Sequence, residues 1–106
     1  MKRAAMIREA PLRYVATFRV EADSRDALER AVEYVAKRME IGKVVYACGR
    51  YYVCFCRTRV EWDGEQLTVR TCLKRAIDSA VRLLAEAYGW FGGKSIRLVK
   101  CEEYRL

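Results

Sequence analysis

Fifteen of the 21 basic residues in this 106-residue chain are arginines, and several stand close to aromatic residues. Arg13 and Arg19 bracket Tyr14 and Phe18, while Arg57 and Arg59 follow Tyr51, Val53 and Phe55. A guanidinium presents a planar fork of donors that fits a phosphate and stacks on a nucleobase, and an aromatic ring adds a second stacking surface. Such residues recognise a polyanion; they break no bonds themselves. The formal net charge of +7 falls in blocks, with +4 over residues 1–20, +4 over 41–60 and +3 over 66–77, against −2 over 21–40 and −3 over 61–65. A basic excess arranged in this way points to a polyanionic partner. A solvated surface would give the same totals, so composition alone leaves both readings standing.

The catalytic alternatives are few. With no histidine, the chain has neither a Ser-His-Asp nor a Cys-His pair, and no imidazole to hold a metal. Gly92-Gly93 is the one close glycine pair, and no Gly-Lys-Ser/Thr stands at the spacing of a phosphate loop. The five cysteines, Cys48, Cys54, Cys56, Cys72 and Cys101, include no C-x-x-C pair. None has an arginine six residues further on, as a phosphatase loop requires. They read as buried apolar thiols, with one or two disulfides open to a hyperthermophile protein and an odd thiol left over. Glu61, Asp63 and Glu65 gather at a turn, where solvation explains them. Glu29 and Glu33 read as an exposed acidic helix face, which could instead dock a protein. Asn is absent and Gln66 is the sole glutamine, a depletion of labile amides found in heat-adapted proteins. No metal or cofactor is expected.

The elements that must position the arginines follow from periodicity. Length and a hydrophobic share of 53% suit one domain over residues 12–106, preceded by a basic arm over 1–11 that ends at Pro11. No apolar run approaches a membrane span and no secretory pattern is present, so a cytoplasmic protein is expected. Leu12, Tyr14, Ala16, Phe18 and Val20 alternate with Arg13, Val15, Thr17 and Arg19, the pattern of a half-buried strand. Asp23 and Ser24 cap a helix over about 24–40 whose stripe includes Leu28, Ala31, Val32 and Val35, and Gly42 stops it. An extra strand is expected near Val44, then a longer one from Tyr51 to Trp62, with Gly49 allowing a turn between.

Asp63-Gly64 marks a hairpin. A two-residue turn there pairs Val60 with Leu67, Arg59 with Thr68, and Arg57 with Arg70. Thr71 is expected to cap a second helix striped by Leu73, Ala76, Ile77, Ala80 and Leu84, ending at Tyr88-Gly89, and Ile96 to Cys101 reads as a last strand. The resulting order is an α+β fold, ferredoxin-like or RRM-like, a βαββαβ sandwich with a possible extra strand and both helices on one face of an antiparallel sheet. The other face then displays Arg13, Arg19, Arg57, Arg59 and Arg70, with Tyr51 and Phe55 further along. Arg57 opposite Arg70 is a like-charge pair, more readily tolerated with an anion between the two.

Two resemblances bear on function. Gly49-Arg50-Tyr51-Tyr52-Val53-Cys54-Phe55 resembles an RRM ribonucleoprotein motif at its Gly, Tyr, Val and Phe places. Arg13-Tyr14-Val15, the strand Leu67-Thr68-Val69-Arg70 leading into the Ala76 to Leu84 helix, and Ile96-Arg97-Leu98 together resemble the small archaeal and eukaryotic RNase P proteins of the Pop-five/Rpp-fourteen type. That family often has Ser-Gly-Thr after its last strand, where this chain has Cys101-Glu102-Glu103-Tyr104. The resemblance implies an RRM-like fold in an accessory subunit that works with a second protein while a catalytic RNA and its Mg²⁺ ions remove the 5′ leader of precursor tRNA. Arg57, Arg59 and Arg70 would then brace RNA phosphates. The expected partners are a structured RNA and a second protein subunit or a second copy of the chain. Dimerisation or protein docking through Tyr51, Val53 and Phe55, with no nucleic acid, is the alternative. An acylphosphatase-like enzyme would need an anion loop that is missing.

Overall fold

The computed structural model describes residues 12–40, 43–47, 50–54 and 58–106, with side chains described over 12–40 and 58–106. The expected arm over 1–11, Gly42 and Gly49 lie outside the described residues. In chain order the elements are β1 (Tyr14–Ala22), α1 (Arg25–Met39), β2 (Lys43–Ala47), β3 (Arg50–Cys54), β4 (Thr58–Trp62), β5 (Gln66–Thr71), α2 (Arg75–Trp90) and β6 (Ile96–Arg105). Two helices pack on a four-stranded antiparallel sheet of order β4-β5-β1-β6, and β2 and β3 pair as a separate two-stranded sheet. Two expectations are thereby corrected. The strand expected from Tyr51 to Trp62 is divided into β3 and β4, which belong to different sheets. The extra strand near Val44 adds nothing to the main sheet, because it pairs with Arg50–Cys54.

Alternation decides which side of each strand meets the helices. Ala16 and Phe18 of β1, Val60 of β4, and Leu67 and Val69 of β5 form the core with Leu28, Ala31, Val32 and Val35 of α1 and Ile77, Ala80, Leu84, Ala87 and Tyr88 of α2. The helix-facing side closes at one end on two buried threonines, Thr58 and Thr71, whose hydroxyls lie 2.9 Å apart. Ser24 caps α1 as expected, its Oγ accepting the Ala27 N–H at 3.2 Å. Thr71 does not cap α2. It ends β5, its Oγ1 accepts the Leu73 N–H, and the helix begins four residues later, which leaves Leu73 exposed.

The hairpin between β4 and β5 closes differently from the sequence expectation. Asp63 Oδ1 accepts the backbone N–H groups of Glu65 (2.8 Å) and Gln66 (2.7 Å), and these two bonds hold its carboxyl below the usual carboxylate range. The Asp63 N–H donates to the Gln66 carbonyl at 3.2 Å. The loop is therefore Gly64-Glu65, with Gly64 at φ +101°, instead of Asp63-Gly64. Partners move by two residues, so Arg59 lies opposite Arg70, Val60 opposite Val69 and Trp62 opposite Leu67. A two-residue shift leaves every side chain on its expected face, since the strand period is two.

Among the described residues Tyr88 is the largest fully buried side chain, and it ties the β1–α1 junction, α2 and the start of β6 together. Its hydroxyl donates to Asp23 Oδ1 and accepts the Ser24 N–H at 2.8 Å. The same Asp23 oxygen accepts the N–H groups of Lys94 (3.2 Å) and Ser95 (3.1 Å). The end of β1, the cap of α1, the last turns of α2 and the start of β6 thus share one carboxylate. The chain after α2 turns through a Schellman motif: Gly93 N–H reaches the Tyr88 carbonyl, Gly92 N–H reaches Gly89, and Gly92 takes φ +95°. A Cβ on Gly93 would overlap the ring of Tyr88.

Two outcomes follow for stability. Gly93→Ala forces a methyl into a ring that the core holds on its other side, and is expected to cost about 1–3 kcal/mol, read as a lower urea midpoint; Gly89→Ala, where a Cβ meets nothing within 4 Å, should not. The Tyr88 hydrogen bond, with those from Ser95 and Lys94, lowers the pKa of Asp23. Its stabilising effect is complete above the ordinary carboxylate pKa of about 4 and is lost as pH falls through the depressed folded value. Tyr88, buried and bonded to Asp23, has a raised pKa, so its effect is complete below about 10 and fades as pH rises beyond that. Thermal melts from pH 2 to 7 should show a shallower acid decline in Asp23→Asn than in the parent protein.

Candidate nucleic-acid interface

The sheet face turned away from the helices carries the side chains singled out for polyanion binding. Register partners line up across all four strands. Arg59, Arg70, Val15 and Tyr104 form one row, and Glu61, Thr68, Thr17 and Glu102 form the next. Gln66, Arg19 and Val99 make a third, and Glu21 faces Arg97 at the far end. Arg13, two residues before Val15, extends the face at the Arg70 end; its N–H donates to the Thr71 carbonyl and its own carbonyl accepts the Leu106 N–H.

The face is mixed in charge, not uniformly basic. Arg70 Nε donates to Glu61 Oε1 at 2.9 Å, and Arg97 Nε lies 3.7 Å from Glu21 Oε1. The anion expected between opposed arginines is thus supplied in part by the chain itself. Glu61 sits diagonally from Arg70 and balances it, while Arg59 stands directly opposite Arg70 with no acidic partner of its own among the described residues. Arg13 and Arg19 are likewise exposed and make no ion pair among the described residues. The net positive character lies at one end, where Arg13, Arg59 and Arg70 surround buried Val15 and Glu61 balances Arg70 alone.

The structure brings together four of the seven sequence candidates, Arg13, Arg19, Arg59 and Arg70, on one face. It does not join Tyr51 to them: Tyr51 lies on β3 opposite Tyr46, in the separate two-stranded sheet. The Tyr51 side chain, Phe55 and Arg57 lie outside the described residues, and Arg59 takes the place opposite Arg70 that the sequence reading gave to Arg57.

Sequence reasoning missed Tyr104. The last strand runs to Arg105, four residues beyond the expected Cys101, because a bulge between Thr17 and Phe18 resets its pairing with β1. Tyr104 then stands opposite Val15 and is 43% exposed. The alternation of this strand is broken by that bulge, so no period-two pattern announces it. On the helix-facing side of the same strand end, Glu103 accepts from Lys100 (2.9 Å) and lies 3.7 Å from Lys74, contacts that lower its pKa, while Arg105 rests 5.7 Å from the Tyr14 ring centre. Cys101, expected as a buried thiol, is exposed.

A second surface lies across the helices. Trp90 and Phe91, at the end of α2, are 61% and 38% exposed, and Trp90 meets Tyr34 of α1 edge-on with ring centres 5.6 Å apart. A shallow cleft of about 270 Å³ beside them is lined by Arg30, Glu33, Tyr34, Lys37 and Phe91. The helix face expected to be acidic is laced by i,i+4 pairs instead: Arg25 with Glu29, Arg30 with Asp26, and Lys37 with Glu33. Such exposed pairs contribute only a few tenths of a kcal/mol each.

Among the described residues no group of His, Cys, Asp and Glu is arranged to hold a metal ion, and no helix is long and apolar enough to cross a membrane. No protein-family model, curated protein or solved structure matches the chain.

Proposed function

We propose that this chain is an RNA-binding protein subunit of a ribonucleoprotein and that the open sheet face is its RNA-binding surface. The observation that carries the reading is the row in which Arg59 faces Arg70 with one carboxylate, Glu61, committed to Arg70. An RNA phosphate completes that arrangement by supplying the second negative charge in the geometry a guanidinium fork accepts. Arg13 and Arg19 extend the contact along β1.

The finer fold reading belongs with this proposal. With the β2–β3 hairpin set aside as an insertion, the chain runs βαββαβ, and the four remaining strands stand, from one edge, in the order fourth, first, third, second. That order supports a ferredoxin-like or RRM-like arrangement, the topology implied by the resemblance to the small RNase P proteins. In that setting the chain is not catalytic. It neutralises phosphates so that a catalytic RNA, as in tRNA 5′ leader processing, can fold, in a heat-adapted archaeal source. The cluster of exposed Trp90 and Phe91 with half-buried Tyr34 favours a second contact, since aromatic residues beside Arg are the usual anchors of protein interfaces. A second protein subunit docks there in this reading.

Fluorescence anisotropy against a structured RNA, a single-stranded RNA and duplex DNA at two salt concentrations tests it. Arg59→Glu should weaken binding to structured RNA and lower the slope of log affinity against log salt by about one. Glu61→Gln, which releases Arg70, should tighten it. Affinity that is the same at low and high salt, or unchanged in both variants, would sink the RNA reading.

A further inference from the structure

The geometry points to Tyr104 as a stacking platform for an unpaired nucleobase whose neighbouring phosphates rest on Arg70 and Arg59. This rests on the RNA reading and specifies what the surface selects: a single-stranded or bulged nucleotide, not a regular duplex. Three features of the row carry it. Tyr104, Val15, Arg70 and Arg59 are successive register partners across β6, β1, β5 and β4. Adjacent strands lie about 4.8 Å apart, so Tyr104 and Arg70 stand about 10 Å apart at the backbone and Arg59 one strand further. Val15 between them is fully buried, so a ligand meets the row at its two ends, at Tyr104 and at the arginines, and not at its centre.

Charge assigns the two halves of the ligand to the two ends of the row. Glu102, two residues before Tyr104 and on the same face, has no ion-pair partner among the described residues. Its carboxylate repels a phosphate from its own side of Tyr104, whereas an uncharged base is indifferent to it; Arg13, diagonal to Tyr104 on the other side, leaves only that side open to a neighbouring phosphate. Arg59 and Arg70 draw the phosphates to the opposite end. Glu103 and Arg105, the charged neighbours of Tyr104 in sequence, are engaged on the helix-facing side with Lys100, Lys74 and Tyr14 and do not compete. A base stacked on an aromatic ring needs an exposed π face, and a regular duplex keeps its bases stacked on one another, so discrimination against duplex follows from the same geometry.

A short single-stranded RNA carrying 2-aminopurine at an internal position, and a duplex RNA of the same composition, are the probes. With the parent protein, 2-aminopurine emission should be quenched on binding. Tyr104→Leu, which keeps apolar bulk without a π face, should weaken single-strand binding about tenfold and abolish the quench, while leaving duplex binding unchanged. Tyr104→Phe should restore both. Circular dichroism melts check that both variants fold, and Leu73→Ala, at an exposed apolar residue in the loop before α2, serves as a surface control that should change nothing. Single-strand binding and quench that survive in Tyr104→Leu, while Arg59→Glu loses affinity, overturn the stacking platform and leave the RNA reading intact. Absence of binding to either RNA by the parent protein at low salt overturns both.

Discussion

The buried hydroxyl of Tyr88 is the point on which the described fold depends. Burying a phenol is favourable for the ring and costly for the oxygen unless donor and acceptor roles are both filled. Asp23 and the Ser24 N–H fill them, and they do so from the junction where β1 gives way to α1. The same carboxylate takes two further backbone donors at the entry to β6, so strand, helix cap, helix end and final strand are placed relative to one another by a single polar node. Gly93 is the consequence: the chain must pass over the face of the ring, and only a residue without a Cβ passes there. Since β6 pairs with β1 immediately after this turn, the position of Tyr104 on the open face follows from a contact made on the opposite side of the sheet.

The open face shows how a basic protein can avoid repelling itself. Arginines opposed across a strand pair would weaken the sheet, and the chain answers with Glu61 for Arg70 and Glu21 for Arg97. These exposed pairs stabilise little. Their effect is on distribution: they cancel charge over most of the face and leave a positive excess at the end where β1 begins and β4 starts. A surface patterned in this way concentrates its positive potential in one place instead of spreading it evenly. The helical side carries the reverse composition, charge-balanced and aromatic.

How much of this was legible in advance can be read from particular residues. The two helices, the cap at Ser24, the core-facing alternation of β1 and the outward placement of Arg13, Arg19, Arg59 and Arg70 all follow from spacing, because periods of 3.6 and 2.0 are local properties of the backbone. The hairpin was legible as a turn but not in its register: whether Asp63 sits inside the loop or holds it from the position before depends on which N–H groups its carboxylate captures. Thr71 read as a helix cap because Ser and Thr favour that role, yet its hydroxyl is used by Thr58 across the strand pair. Tyr88 read as the end of a helix, since nothing adjacent in sequence tells that Asp23, 65 residues away, meets its hydroxyl.

By itself, then, the amino-acid sequence determined the α+β class, the two helices and the faces of β1, β4 and β5, all of which arise from interactions between near neighbours. Only the tertiary structure decided the placing of β3 and β4 in two sheets, the pairing of Arg59 in place of Arg57 with Arg70, and the arrival of Tyr104 in the same row. Each of those depends on which distant backbone groups share hydrogen bonds. Such choices are made by the fit of the whole chain: a bulge at Thr17/Phe18 or a carboxylate at a turn moves a strand by a residue or two at small local cost, and no short stretch of sequence contains both partners.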